Sequence, residues 1–164
     1  MTRAVIACGS NMNDPHLQLQ TAEKRIAETP GVKLLAVSGL YDTKPEGMTE
    51  QPDFLNGAFL VETRLTAEEF LAALIRIELE QGRVRTIPQG PRTLDLDLIF
   101  FGDEMKKTQD LTLPHPKAHL REFVLRPVND IAPDWVHPGL KKTVKELLTE
   151  LSSRPKGLLS EAAL

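Results

Sequence analysis

The alternation of apolar and polar positions divides the chain into a short series of elements. Arg3 to Ser10 opens on Ala-Val-Ile-Ala-Cys, an apolar run of buried-strand length, and Gly9-Ser10-Asn11 reads as the turn that ends it. Pro15 suits the first turn of a helix. Leu19, Ala22 and Ile26 then recur at helical spacing until Pro30-Gly31 stops the pattern. Val32 to Tyr41 predicts a second strand, with Gly39 hinting at a bulge, and Lys44 to Pro52 a loop. Phe54 to Glu62 predicts a third strand. Thr66, with Glu69 three residues on, forms a capping box ahead of a helix whose apolar face is Phe70, Leu74 and Ile77, and Gly82 closes it.

Beyond a loop from Arg83 to Arg92, Leu94 to Phe101 predicts a fourth strand, and Gly102-Asp103 begins a turn. A short strand pair fits within Met105 to Leu113, and a short helix near His119 to Leu125. Thr143 and Glu146 make a second capping box before Val144, Leu147, Leu148 and Leu151. The tail, 152–164, is expected to fray. The order strand, helix, strand, strand, helix, strand is that of the split βαβ arrangement. The expected class is therefore α+β, a ferredoxin-like sandwich with a mainly antiparallel sheet flanked by helices. A doubly wound parallel sheet would need a helix between the second and third strands, and none is predicted. With 164 residues and no linker or low-complexity segment, residues 1–164 read as a single domain.

Composition removes several function classes. Apolar residues make up 41%, an ordinary globular share. The longest apolar run, Phe70 to Ile75, falls far short of the ~20 residues that span a membrane. Twenty basic against 23 acidic residues give a net charge of −3, so no basic excess recruits nucleic acid. The opening MTRAVIACGS has too short an apolar core for a secretory signal. Cys8, the only cysteine, excludes an internal disulfide. A cytoplasmic protein is expected. Five of the 12 prolines fall between Pro114 and Pro138, and a long proline-rich loop of this kind is often functional. A small enzyme and a binding module both fit these figures.

The chemistry concentrates in Arg92-Thr93-Leu94-Asp95-Leu96-Asp97-Leu98. On a strand, residues two apart share a face, ~6.7 Å apart. Leu94, Leu96 and Leu98 would face the core and Asp95 and Asp97 the other side. Two carboxylates aimed at one point repel unless a cation lies between them, and Mg²⁺ takes such oxygens together with water and phosphate. A solvated edge strand explains the bare alternation equally well. Arg83, Arg85 and Arg92 sit on the loop feeding this strand, and guanidinium forks suit phosphate oxygens. Solvated loop charges are the plainer alternative for them. Together with Asp-x-Asp they make the composition of a metal–phosphate site. A different Mg²⁺ enzyme built on Asp-x-Asp, such as a nucleotide-sugar glycosyltransferase, uses the same pair.

The run Gly90-Pro91-Arg92-Thr93-Leu94-Asp95-Leu96-Asp97-Leu98-Ile99 resembles the signature of the 6-hydroxymethyl-7,8-dihydropterin pyrophosphokinase (HPPK) family of folate biosynthesis. So do Gly9-Ser10-Asn11, Tyr41-Asp42-Thr43, Gln51-Pro52-Asp53-Phe54-Leu55-Asn56, Arg76-Ile77-Glu78 through Arg85, Leu111-Thr112-Leu113-Pro114-His115 and Arg121-Glu122-Phe123. The matches run in order over roughly residues 3 to 135.

The resemblance implies transfer of the pyrophosphoryl group of ATP to 6-hydroxymethyl-7,8-dihydropterin with release of AMP. It implies two Mg²⁺ ions on Asp95 and Asp97. Arg83 and Arg92 would stabilise charge on the transferred group. Glu78, Arg85, Thr112, His115 and Arg121 would form the ATP site. Thr43, Phe54, Asn56 and Phe123 would hold the pterin, the rings supplying apolar faces and the Asn56 amide a donor and an acceptor for its edge. Partners other than ATP and the pterin are not expected: no nucleic acid, no membrane, and a monomer rather than an oligomer.

The chain departs from the family pattern at four positions. Gln89 stands where an aromatic often precedes Gly-Pro-Arg, Phe54 where Tyr is common, Asp110 where a basic residue contacts ATP and Pro116 where an aromatic sits. Altered loop closure and weaker nucleotide contacts follow from these. They also motivate the alternative of a non-catalytic nucleotide- or pterin-binding module.

Overall fold

The computed structural model describes residues 1–44, 50–82 and 93–153. The sheet is built around β1 (Thr2–Ser10), whose residues from Ala4 onward are all buried. Helix α1 (Pro15–Ala27) follows, with Asp14 accepting from the Leu17 N–H at its start and Pro15 in its first turn. β2 (Val32–Val37), β3 (Tyr41–Thr43) and β4 (Phe54–Thr63) come next, then α2 (Ala67–Glu80) and β5 (Asp95–Phe101). Strand order across the sheet is β2-β4-β1-β5, with β3 also paired to β4, and every pairing is antiparallel. This is the ferredoxin-like order expected from the sequence: β4 separates β2 from β1, and β5 closes the far edge. β6 (Lys106–Lys107) and β7 (Thr112–Leu113) form a small ribbon.

One face of the sheet, through Ile6, Cys8, Leu55, Phe59, Val61, Leu96 and Leu98, packs on Leu19, Ala22 and Ile26 of α1 and Phe70, Leu74 and Ile77 of α2. The other, through Val5, Ala7, Ala58, Leu60, Ile99 and Phe100, packs on α3 (Glu122–Ile131) and α4 (Val144–Ser152). Both predicted capping boxes are present, at Thr66–Glu69 and Thr143–Glu146. Gly82 takes φ +86°, the left-handed conformation that suits glycine after a helix end.

Three expectations change. The predicted strand Val32–Tyr41 is two strands, broken at 38–40. The turn foreseen at Gly9-Ser10 is still strand, because both residues pair with β4. The short helix near His119 is a 3-10 turn at Ala118–Leu120 followed by α3, which runs on through Pro127 to Ile131 because Val124, Leu125 and Val128 bury against the sheet. The tail from 154 lies outside the described residues. No helix among the described residues is long and apolar enough to cross a membrane.

Candidate active site

Side-chain parity decides which residues meet. On β5, Leu96 and Leu98 enter the α1/α2 core, so Asp95 and Asp97 point to the α3/α4 side, both half-buried. On β4, Leu55 enters the α1/α2 core, so Phe54 and Asn56 share that same α3/α4 side. Between them on β1 lies Gly9, paired with Asn56 on one side and Asp95 on the other. Two strand spacings put Asn56 and Asp95 ~10 Å apart, with a residue lacking a side chain in the middle. A Cβ added at Gly9 would sit 3.0 Å from Asn56 Oδ1 and 3.8 Å from Phe54 Cδ1. The bare backbone is thus the floor between an amide and a carboxylate.

On the amide side, Asn56 is 6% exposed, and its Nδ2 donates to Thr43 Oγ1 from β3. Thr43 lies opposite Phe54. Phe123, one residue into α3, is half-buried against the core that α3 makes with the sheet, and the Arg121 guanidinium lies 5.5 Å from its ring centroid. Asn11, 2% exposed, donates from Nδ2 to Gln51 Oε1 at 2.7 Å and to Pro52 O at 3.0 Å, tying the exit of β1 to the approach to β4.

On the carboxylate side, the His115 N–H donates to Ile99 O at 3.0 Å, which sets the histidine beside β5. Its Nδ1 accepts from the Lys117 N–H at 3.1 Å. The ring proton therefore belongs on Nε2. Burial first, then the Arg121 charge, pushes the imidazole down to about 4, against a smaller upward pull from Asp95. His115, Arg121 and Asp95 thus lie within electrostatic reach of one another, and the imidazole is neutral near pH 7. Thr112 stands in the β6–β7 ribbon opposite Lys107, three residues ahead of His115.

Glu78, expected on the nucleotide side, is 1% exposed on α2, and its Oε2 accepts from the Leu96 N–H at 2.7 Å. It thereby holds the residue between the two aspartates. Arg83, Arg85, Arg92 and Gln89 lie outside the described residues. Gly9 as the floor and the Asn11 tie were not foreseen as contacts. Only the clustering of Gly9-Ser10-Asn11 and Gln51-Pro52 pointed at these segments, and nothing local signals that they meet.

Fold and site together define an antiparallel α+β sandwich with a divided polar site on one sheet face, acidic at one end and amide-lined at the other. The model for 7,8-dihydro-6-hydroxymethylpterin-pyrophosphokinase (HPPK) matches residues 5–133, and the chain belongs to that family. It is 43% identical over 151 residues to the 2-amino-4-hydroxy-6-hydroxymethyldihydropteridine pyrophosphokinase of Haemophilus influenzae, covering 92% of this chain and 91% of that one. It is 41% identical to the folic acid synthesis protein fol1 of Schizosaccharomyces pombe over 92% of its own length, which is 21% of the yeast protein. The crystal structure of Plasmodium falciparum HPPK-DHPS with pteroate shares the fold, with a TM-score of 0.76 at 17% identity over 94% of this chain and 43% of that one. The chain therefore spans about a fifth of the yeast protein, under half of the Plasmodium chain and most of the bacterial one.

Proposed function

We propose that the protein transfers the pyrophosphoryl group of ATP to the hydroxymethyl group of 6-hydroxymethyl-7,8-dihydropterin, releasing AMP, as a step of folate synthesis. The observation that carries this reading is the position of Gly9, with Asn56 and Asp95 on either side of it and on one face. A separation of ~10 Å suits a bicyclic ring held at its edge by an amide while its exocyclic hydroxymethyl reaches the acidic end. Thr43 and Asn56 would bond the pterin edge, Phe54 and Phe123 would cover its faces, and Gly9 leaves room for the ring.

At the other end, Asp95 and Asp97 are hard oxygen donors that fill only part of an octahedral shell, leaving positions for water and phosphate. That is the donor set Mg²⁺ favours, and two ions are proposed with ATP. Metal held by Asp95 and Asp97 would supply charge neutralisation for the phosphate oxygens. Arg83 and Arg92 would meet charge on the transferred group. Arg85, Thr112, His115 and Arg121 would contact the nucleotide, His115 offering an uncharged Nε2–H. Glu78 would serve that side by fixing β5 at Leu96.

The alcohol oxygen forms a bond to the β-phosphorus, and the bond from that phosphorus to the oxygen bridging to the α-phosphorus breaks. The hydroxyl proton passes to solvent. Positioning and charge neutralisation carry such a transfer without a dedicated base. Action as a single-domain monomer in the cytoplasm, without nucleic-acid or membrane partners, belongs to the same proposal.

Incubation with ATP, Mg²⁺ and the hydroxymethyldihydropterin is expected to release AMP and no ADP, and absence of AMP at high enzyme concentration overturns the reading. Asp97→Ala should lower turnover by at least ~100-fold with the fold intact. Turnover near wild type would remove the metal assignment.

A further inference from the structure

The edge of the sheet next to β4 changes register just before it reaches the pterin half of the site. In β2, Val37 lies opposite Phe59. Continued without interruption, that register would set Tyr41 opposite Leu55 and Thr43 opposite Asp53. Instead Tyr41 lies opposite Asn56 and Thr43 opposite Phe54. A shift of one residue moves every side chain to the other face. The uninterrupted strand would therefore turn Thr43 toward α1 and α2, away from Asn56.

The extra residue is taken up at Ser38-Gly39-Leu40, and two groups hold it there. The Ser38 hydroxyl accepts from the Ala58 N–H at 2.8 Å and donates to Gly39 O at 2.7 Å, filling the gap in the ladder. Asp130, on α3 and 91 residues from Gly39, accepts with its Oδ2 from the Gly39 N–H at 3.2 Å and from the Tyr41 hydroxyl at 2.7 Å. A Cβ at residue 39 would lie 3.4 Å from the same oxygen, an ordinary contact, so the clamp rests on the backbone N–H rather than on the absence of a side chain. One carboxylate oxygen thus clamps both sides of the step, immediately before the strand that carries Thr43.

We infer that Asp130 is a positioning residue for the pterin half of the site, acting through Gly39 and Tyr41 to keep β3 in the register that sets Thr43 against Asn56. The inference rests on the function proposed above. Its test is steady-state kinetics with each substrate varied in turn, together with calorimetric binding of the hydroxymethyldihydropterin in the presence of a non-hydrolysable ATP analogue.

Asp130→Ala is expected to raise KM and Kd for the pterin about tenfold, with KM for ATP within about twofold of wild type. Asp130→Asn keeps an oxygen able to accept both bonds and should restore pterin affinity to within about threefold of wild type. Tyr41→Phe, losing one bond of the two, should fall between. Unchanged pterin affinity in Asp130→Ala, or a parallel rise in both KM values, overturns the inference. If Asp130→Ala fails to fold, unchanged pterin affinity in Tyr41→Phe overturns it equally. A wild-type protein that binds no pterin would instead overturn the functional reading, and this inference with it.

Discussion

Replacing Glu78 by alanine removes a carboxylate that holds two layers of the protein together. Its Oε2 accepts from Leu96 N–H at 2.7 Å, and the side chain is buried at 1% exposure. A hydrogen bond to a charged group contributes ~1.5–3 kcal/mol, and its loss leaves the Leu96 N–H on β5 without this acceptor. Loss of a buried methylene adds about 0.8 kcal/mol. Together these give roughly 3 kcal/mol, or a fall in Tm of about 6–12 °C for a chain of this size. Glu78→Gln keeps an acceptor and most of the volume, so its loss should be under half as large. Thermal and guanidinium unfolding measure both variants, and KM for ATP is taken on the folded protein at a temperature well below the transition. A Tm within about 2 °C of wild type in Glu78→Ala, accompanied by a raised KM for ATP, would refute this account. It would mean that the carboxylate meets the nucleotide directly.

Other outcomes follow from the same geometry. Gly9→Ala places a Cβ 3.0 Å from Asn56 Oδ1, so it should weaken pterin binding at least several-fold while Tm changes little; equal affinity in a fluorescence titration would show that Gly9 is not the floor of the site. His115 titrates at about 4 when folded and near the usual 6.5 when unfolded, so the unfolded chain binds more protons between these values. Stability from this source is complete above pH 6.5 and declines as pH falls toward 4, by about 2–3 kcal/mol, with His137, also lowered by burial, adding in the same direction. Urea unfolding across that range should show a flatter slope in His115→Gln, and an identical slope would contradict the assignment.

How much of this was readable in the chain depends on the range of the forces involved. The capping boxes at Thr66 and Thr143 are satisfied within one turn, so local sequence suffices to find them. Leu94, Leu96 and Leu98 enter the core as their alternation predicts. That alternation then fails one step later. A register shift in the β1–β5 pairing between Val5 and Ile6 leaves both Ile99 and Phe100 on the α3/α4 face, an outcome fixed by pairing with β1 and invisible in β5 itself. The break at 38–40 had only Gly39 to mark it, because its second anchor, Asp130, comes from α3. The sequence predicts only a short helix near His119 to Leu125, whereas burial of Val128 against the sheet carries α3 through Pro127 to Ile131. Among the proposed site residues, Asp95, Asp97, Thr43, Asn56 and Phe54 are named by motif, and the structure gathers them on one face. Glu78 is also named by motif, but its burial could be known only from the packing of α2 on β5.

The Glu78–Leu96 bond bears on self-association as well. Among the described residues β5 is a terminal strand of the sheet, and its Leu96 N–H is met by a helix side chain rather than by another strand. An acidic side chain already occupies that donor, and the opposite border is broken twice, by the shift between Leu34 and Ala36 and by the step at 38–40. Among the described residues neither border presents a long regular row of open donors and acceptors, which is how sheets avoid recruiting one another. Losing the Glu78 carboxylate would therefore leave one donor on the β5 border without its acceptor, and turbidity on prolonged incubation should rise in Glu78→Ala even below its melting range.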